Sequence, residues 1–492
     1  MTAPPAADAP GRLARQDASG RLIPLACVLA AIAAAIYALL LTRGDLDPFG
    51  AEPAGLTFNS MLSHMLRGRW DVDPDAIGME AFVHDGRSYA YFGPLPALLR
   101  LPLLAVPGWR TLHVERLSCW LAILLGAAAQ SGAVMAALSR APAATREALA
   151  PPLLLCCALG GPPMLLAWRG ALIYHESILW AWALAMGFVL LAIRSLVRGP
   201  DAGTLTAAAA CAGLCLLTRS TTGAGLLASL GLLVLRALAA DAPGPDTLPP
   251  APAARPGPGS PWRRLLRREV CLPSLVAAGS IVAALAVNQA RWGHPLQFAD
   301  LHAQLALVAA HPDRLARLDR YGLFNLRRVW FGVLYYVAPV WTAWAEAAVP
   351  LDARIARLFD ALELPASSVV LTDPLWCVLA WRGATLLRSG RGLPGAGALA
   401  AGLCVAPGLM LAAWYMAFRY RMEFTPLLLA LSCAGLAAWA PRLDQAGARR
   451  VRLGLFCLCL AQVASAAATG RGYCFAPLGS SPGHAGISLL VP

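Results

Sequence analysis

Three carboxylates follow closely on the first apolar run of this 492-residue chain: Asp45, Asp47 and Glu52. A carboxylate at a membrane surface loses part of its hydration, which raises its pKa and suits it to take a proton from a hydroxyl. The segment they open, 43–93, holds eight acids against four arginines, net −4 in a chain of formal charge +13. A second group lies far along, in Phe418-Arg419-Tyr420-Arg421. Paired guanidiniums beside a phenol suit phosphate, through charge-assisted hydrogen bonds. Between these two groups, Tyr174-His175-Glu176 offers a ring donor and a carboxylate, and Thr218-Arg219-Ser-Thr-Thr222 offers a third cation.

Each group also has a plain structural reading. The acids of 43–93 suit a solvated loop, and Gly68-Arg-Trp70-Asp-Val-Asp73-Pro suits a turn. Glu176 near a helix start meets the positive end of the helix dipole, and His175 beside it points about 100° away. Thr218 to Thr222 can cap the next helix. Arg419 and Arg421 can anchor at lipid headgroups among aromatic residues. Spacing alone does not choose between these readings and chemistry.

The elements that must position these residues are membrane-spanning. The chain is 58% hydrophobic and only 14% charged, where a soluble chain carries about a quarter charged residues. Apolar runs occur near 22–42, 117–138, 148–168, 174–193, 203–218, 221–240, 270–290, 369–387, 396–417, 424–441 and 451–469. At ~20 residues per crossing this predicts an all-α polytopic protein of about eleven transmembrane helices. Two apolar stretches fit poorly as spans. Pro94, Pro96, Pro102 and Pro107 break the first into a re-entrant segment. Val329–Val340, with Tyr335, Tyr336 and Trp341, reads as an interfacial helix.

The expected organisation is a cytoplasmic tail over 1–21, an N-terminal membrane module over 22–240 with the outer loop 43–93, a Pro/Gly/Arg-rich cytoplasmic linker over 241–269, and a C-terminal module over 270–492 with the outer loop 291–365. Arginines in the short turns place the N-terminus inside and the polar loops outside. The 22–42 run is long for a signal peptide and no small-residue cleavage site follows, so it reads as an uncleaved anchor. All 40 basic residues are arginine, which with abundant Ala, Gly and Pro suggests a bacterial chain. They form no basic stripe, and no nucleic-acid partner is expected. The 13 cysteines sit mostly in apolar runs, without ligand spacing, so neither disulfides nor structural zinc are expected.

These features together resemble the C-type (GT-C) superfamily of membrane glycosyltransferases. Gly68-Arg-Trp70 is similar to the Gly-x-Trp-like element that ends a loop helix there. Counting back from it reaches Glu52, one residue off and Glu in place of the usual Asp. Tyr89-Ala-Tyr91-Phe-Gly-Pro-Leu-Pro96 resembles an element of unclassified bacterial relatives, and Arg419-Tyr420 resembles an Arg-Tyr pair before a late span. The resemblance implies a transferase of the bacterial inner membrane, with its active face extracytoplasmic. It would move a sugar from a polyprenyl-phosphate donor, with membrane lipid and that carrier as partners. Asp47, Glu52 or Asp45 would serve as base. Arg419, Tyr420 and Arg421, with Arg219, His175, Glu176, Tyr89 and Tyr91, would bind substrate and phosphate. No metal ligand is named; a divalent cation stays open as cofactor, as do sugar, acceptor and oligomeric state. A lipid or glycan flippase, a small-molecule transporter and a non-catalytic binder of lipid-linked sugars are the competing readings.

Overall fold

The computed structural model describes residues 10–239, 267–310, 312–338, 358 and 368–475. Within them the chain is an all-α polytopic membrane protein with one small hairpin. The longer helices are α1 (Pro10–Leu41), α2 (Thr57–Met65), α3 (Glu115–Leu138), α4 (Ala143–Leu159), α5 (Ile173–Arg198), α6 (Ala202–Leu216), α7 (Ser220–Ala239), α8 (Arg268–Trp292), α9 (Pro374–Arg388), α10 (Thr425–Trp439) and α11 (Gln445–Phe475).

Seven helical stretches among the described residues are long and apolar enough to cross a membrane. The difference from about eleven lies in the short runs. α6 has 15 residues, which at 1.5 Å per residue reaches ~23 Å, short of a ~30 Å hydrocarbon core. The 369–387 run breaks at Asp373-Pro374, because proline lacks an amide hydrogen and disfavours helix in the residue before it. The expected tail and anchor are one helix from Pro10, with the apolar part at Leu22–Leu41. Residues 240–266, most of the expected linker, lie outside the described residues, as do 339–357 with Trp341.

α3 and α5 pack along their length, α5 on α6, α6 on α8, α9 on α10 and α4 on α11. Lipid tails are as apolar as the side chains, so close packing rather than hydrophobic burial holds such helices together. Small residues permit it: a Cβ on Gly435 of α10 would come within 2.9 Å of the Gly383 Cα of α9. Cys156, Cys157, Cys215, Cys433 and Cys459 are buried free thiols filling this core.

One face of the bundle carries the loops. Between α1 and α3 a hairpin pairs β1 (Phe82–His84) with β2 (Arg87–Tyr89). Its turn residues Asp85 and Gly86 have φ of 49° and 69°, the positive values such a tight turn demands. The proline-broken segment follows as short turns of helix over Leu95–Leu98 and Leu101–Ala105. Bridges Phe82↔Gln304 and Phe324↔Ala413 join the first loop, the second loop and the late 413–424 segment on this face.

Candidate active site

Leaving α1, the chain turns sharply, with Arg43 and Leu46 at positive φ. Asp45 accepts the Asp47 amide at 2.8 Å and Asp47 accepts the Phe49 amide at 2.9 Å, so both carboxylates shape the turn. Arg116, at the start of α3, reaches Asp45 at 3.0 Å, the Asp47 carbonyl at 2.9 Å and Glu52 at 2.9 Å. Arg43 takes the other Glu52 oxygen at 2.8 Å. The Asp47 amide and the Arg116 guanidinium hold the Asp45 carboxyl below the usual carboxylate range.

Asp45, Asp47 and Glu52 do not line the main cavity. The sequence reading expects them at a reacting centre; the structure places them in an ion-pair knot outside this cavity. Glu52 is buried with both oxygens in ion pairs, and Asp47 is exposed with its carboxylate turned to its own loop. Gly68 to Asp73 is likewise structural. His64 of α2 sits 3.2 Å from both Asp71 and Asp73, and Ser60 donates to Asp73 at 2.7 Å. Burial pushes the Asp71 carboxyl up, but bonds from Arg69 and His64 outweigh it and hold the group at about 2.

Beyond this knot a cavity of about 730 Å³ opens between α5, the α6–α7 turn, α8 and the 413–424 segment. Its loop-side part is polar and aromatic. The Arg419 guanidinium lies 4.6 Å from the Tyr174 ring centre and 5.5 Å from those of Tyr415 and Tyr420. Arg219 lies 4.9 Å from the Tyr420 ring. Its Nε donates to Glu423, which also accepts Thr221 at 2.9 Å and Thr222 at 2.6 Å. Glu423 thus seats on the positive N-terminus of α7 and fixes Arg219 at the cavity wall. Deeper along the spans the lining is apolar, with Leu227 roughly two turns into α7, and Ile281 and Leu285 further into α8.

Glu80 lines the cavity and is buried. Gln304 donates to it at 3.1 Å and Tyr174 hydrogen-bonds to it. Burial raises its pKa above the ordinary carboxylate value, only partly offset by Tyr174 and Arg419. Tyr91 faces the same space, and burial pushes its phenol up as well. The two therefore stay protonated to higher pH than exposed groups would.

The motifs read from sequence divide across this wall. His175 lines the cavity, with Nδ1 2.8 Å from the Gly170 carbonyl. Only a protonated Nδ1 can bond a carbonyl, so the neutral ring leaves Nε2 as acceptor. Glu176 points elsewhere, as its helical offset requires. It is fully buried and pairs with Arg100 at 3.1 Å, near Glu115. Arg421 is also away from the cavity. It is buried, 3.3 Å from Thr372 and 4.5 Å from the Phe418 ring centre. Tyr89 packs on Trp292 at 5.6 Å in the cluster behind Tyr91. Glu176, Arg421 and Tyr89 thus lie off the cavity wall, whereas Arg219, Arg419, Tyr420, His175 and Tyr91 meet in one cavity.

Spacing singles out neither Glu80 nor Gln304. Glu80 counted only as one of the loop acids; its signal was an acid within an apolar stretch, Ile-Gly-Met-Glu-Ala-Phe-Val. A divalent cation wants several oxygen ligands. The cavity wall offers one carboxylate, Glu80, among Arg169, Arg219, Arg291 and Arg419, and that donor set does not fit one. Among the described residues no group of three His, Cys, Asp or Glu comes together to hold a metal.

No protein-family model matches this chain, and no curated protein does. Several solved structures are similar to it. The Archaeoglobus fulgidus oligosaccharyltransferase in complex with zinc and sulfate has 15% identity, with 90% of this chain and 53% of that one covered and a TM-score of 0.49. AglB from the same organism, with an inhibitory peptide and a dolichol-phosphate, has 13% identity, coverage of 91% and 55%, and a TM-score of 0.45. ArnT from Cupriavidus metallidurans, bound to undecaprenyl phosphate, has 13% identity, coverage of 91% and 75%, and a TM-score of 0.41. The chain spans little more than half the length of the oligosaccharyltransferases. At these identities and scores the likeness carries no argument about activity.

Proposed function

We propose that this chain is a GT-C-type membrane glycosyltransferase, moving a sugar from a polyprenyl-phosphate donor to an acceptor hydroxyl on the extracytoplasmic side of a bacterial inner membrane. One observation carries the reading. A single cavity joins a buried carboxylate of raised pKa, guanidiniums stacked on tyrosines, and an apolar floor between spans. The low arginine content of the short turns on that side supports its placement outside, with the N-terminus inside.

In this reading the carrier phosphate lies against Arg419 and Arg219, with its isoprenoid tail along Leu227, Ile281 and Leu285. The base comes from the first loop, as the resemblance implied, but is Glu80 rather than Asp47 or Glu52. Glu80 takes the proton of the acceptor hydroxyl as its oxygen attacks the anomeric carbon from the face opposite the phosphate. The bond from that carbon to the phosphate oxygen breaks, and its electron pair leaves with the polyprenyl phosphate. The second negative charge that develops there faces guanidiniums already in position. His175 Nε2 accepts from a sugar hydroxyl, and Tyr91 and Tyr174 present ring faces to the sugar.

The test is reconstitution of the full chain with a polyprenyl-phosphate sugar and an envelope acceptor fraction, following release of polyprenyl phosphate. Release by the wild type and its loss in Glu80→Gln, with carrier binding kept, is the expected result. Equal release by both proteins would remove Glu80 from the reaction. No wild-type preference for polyprenyl phosphates over ordinary phospholipids would remove the transferase reading.

A further inference from the structure

The cavity has a second cationic pole that the reaction above does not use. Arg291 ends α8, lines the cavity and is 4% exposed. Its Nη1 donates to the Phe92 carbonyl at 2.7 Å, and its Nη2 meets only the Met61 sulfur at 3.4 Å. Its Nε has no partner. The Trp70 ring centre lies 5.7 Å from the guanidinium. Among the described residues no carboxylate forms an ion pair with it.

The other pole is balanced differently. Arg219 is bonded to Glu423. Arg219 and Arg419 both stack on Tyr420, whereas Arg291 stacks on Trp70. Arg291 is therefore set apart from the Arg419 pole within one cavity. A buried cation without a counterion is costly, because removing an ion from water is repaid only by an opposite charge and hydrogen bonds. One carbonyl, one thioether and the partial charge of a helix C-terminus repay little of it. A ligand anion would repay the rest, with the open Nε and Nη2 hydrogens as a fork for two oxygens.

We propose that Arg291 binds a second anionic group, a phosphate or carboxylate, held in the cavity together with the carrier's own phosphate. The proposal rests on the transferase reading for the identity of the first anion. It narrows the substrates: either the acceptor or sugar is itself acidic, or the carrier brings a second phosphate.

The test uses the full chain in nanodiscs of zwitterionic lipid, saturated with polyprenyl phosphate, with binding of labelled inorganic phosphate measured by equilibrium dialysis. The wild type should bind phosphate beside the carrier. Arg291→Met should weaken that binding by about tenfold or more, Arg291→Lys should recover only part of it because it keeps the charge and loses the fork, and both should keep carrier affinity, which also reports that they are folded. Arg419→Met should do the reverse, losing the carrier and keeping phosphate. Displacement of phosphate by polyprenyl pyrophosphate would place the second anion on the carrier; its retention would place it on a separate ligand, and either supports the pole. Loss of carrier affinity in Arg291→Met, or no phosphate bound beside the carrier, would overturn the proposal and leave the transferase reading standing. Phosphate bound through Arg291 with no carrier bound at all would instead overturn the transferase reading.

Discussion

Arg419 and Arg421, two residues apart in one 3-10 segment, serve opposite sides of the wall between the cavity and the bundle core. Residues so spaced in a 3-10 turn project about 120° apart. Arg419 stacks on tyrosines at the cavity, while Arg421 is buried beside Thr372 and Phe418. Arg419→Met should therefore weaken polyprenyl-phosphate binding by about 1.5–3 kcal/mol, the range for hydrogen bonds to charged groups, with little change in melting temperature. Arg421→Met should lower thermal stability first. Ligand binding and thermal unfolding, measured on both variants, separate the two roles.

Glu80 predicts a pH dependence of known sign. As the proposed base it acts as the carboxylate, so kcat/KM should rise with pH through a pKa above the usual carboxylate value, and Glu80→Gln should lose that limb. A carboxyl whose pKa is higher folded than unfolded contributes stability that is full below the unfolded value and is lost as pH rises through the folded one. Glu80→Gln should accordingly match the wild type in acid and exceed it in melting temperature near neutrality. Paired pH–rate and pH–melting series check both statements.

Glu52 should matter for folding and Asp47 for little. Glu52→Gln disturbs a buried pair to Arg116 and a half-exposed one to Arg43, and should cost about 3 kcal/mol of stability, chiefly through Arg116. Asp47→Asn leaves an exposed turn that can still accept the Phe49 amide, and should change stability by about 0.5 kcal/mol or less with turnover retained. A turnover loss in Asp47→Asn as large as in Glu80→Gln would return the base to the start of the loop.

Gly93 packs against the backbone of the turn that carries Arg219. The Leu95 amide bonds the Leu217 carbonyl at 3.1 Å, and a Cβ on Gly93 would lie 2.7 Å from the Thr218 Cα. Backbone cannot yield there as a side-chain tip could, so Gly93→Ala should cost about 1–3 kcal/mol. It should also weaken carrier binding, because the strain falls between the two walls of the site. Thermal unfolding and carrier titration of this variant read the two effects.

What the sequence disclosed followed from local rules. Prolines at 94, 96, 102 and 107 foretold the broken segment, and the 100° offset of His175 and Glu176 foretold their separation. Asp85-Gly86 between short apolar stretches is the sequence sign of the hairpin turn. The place of Glu80 in the cavity was not legible, because what sets it apart from Asp47 is burial beneath the second loop. Gln304, more than two hundred residues later, makes that contact. The fate of Glu52 was equally hidden, since it depends on Arg116 arriving from α3.

The most direct test of the account is native mass spectrometry of the protein purified in mild detergent, comparing wild type with Arg419→Met. The account predicts a bound polyprenyl-phosphate species whose mass includes a sugar on the wild type, depleted in the variant. Wild-type protein carrying only ordinary phospholipids, and showing no preference for polyprenyl phosphate after delipidation and re-addition, would contradict it and move a transporter ahead of a transferase.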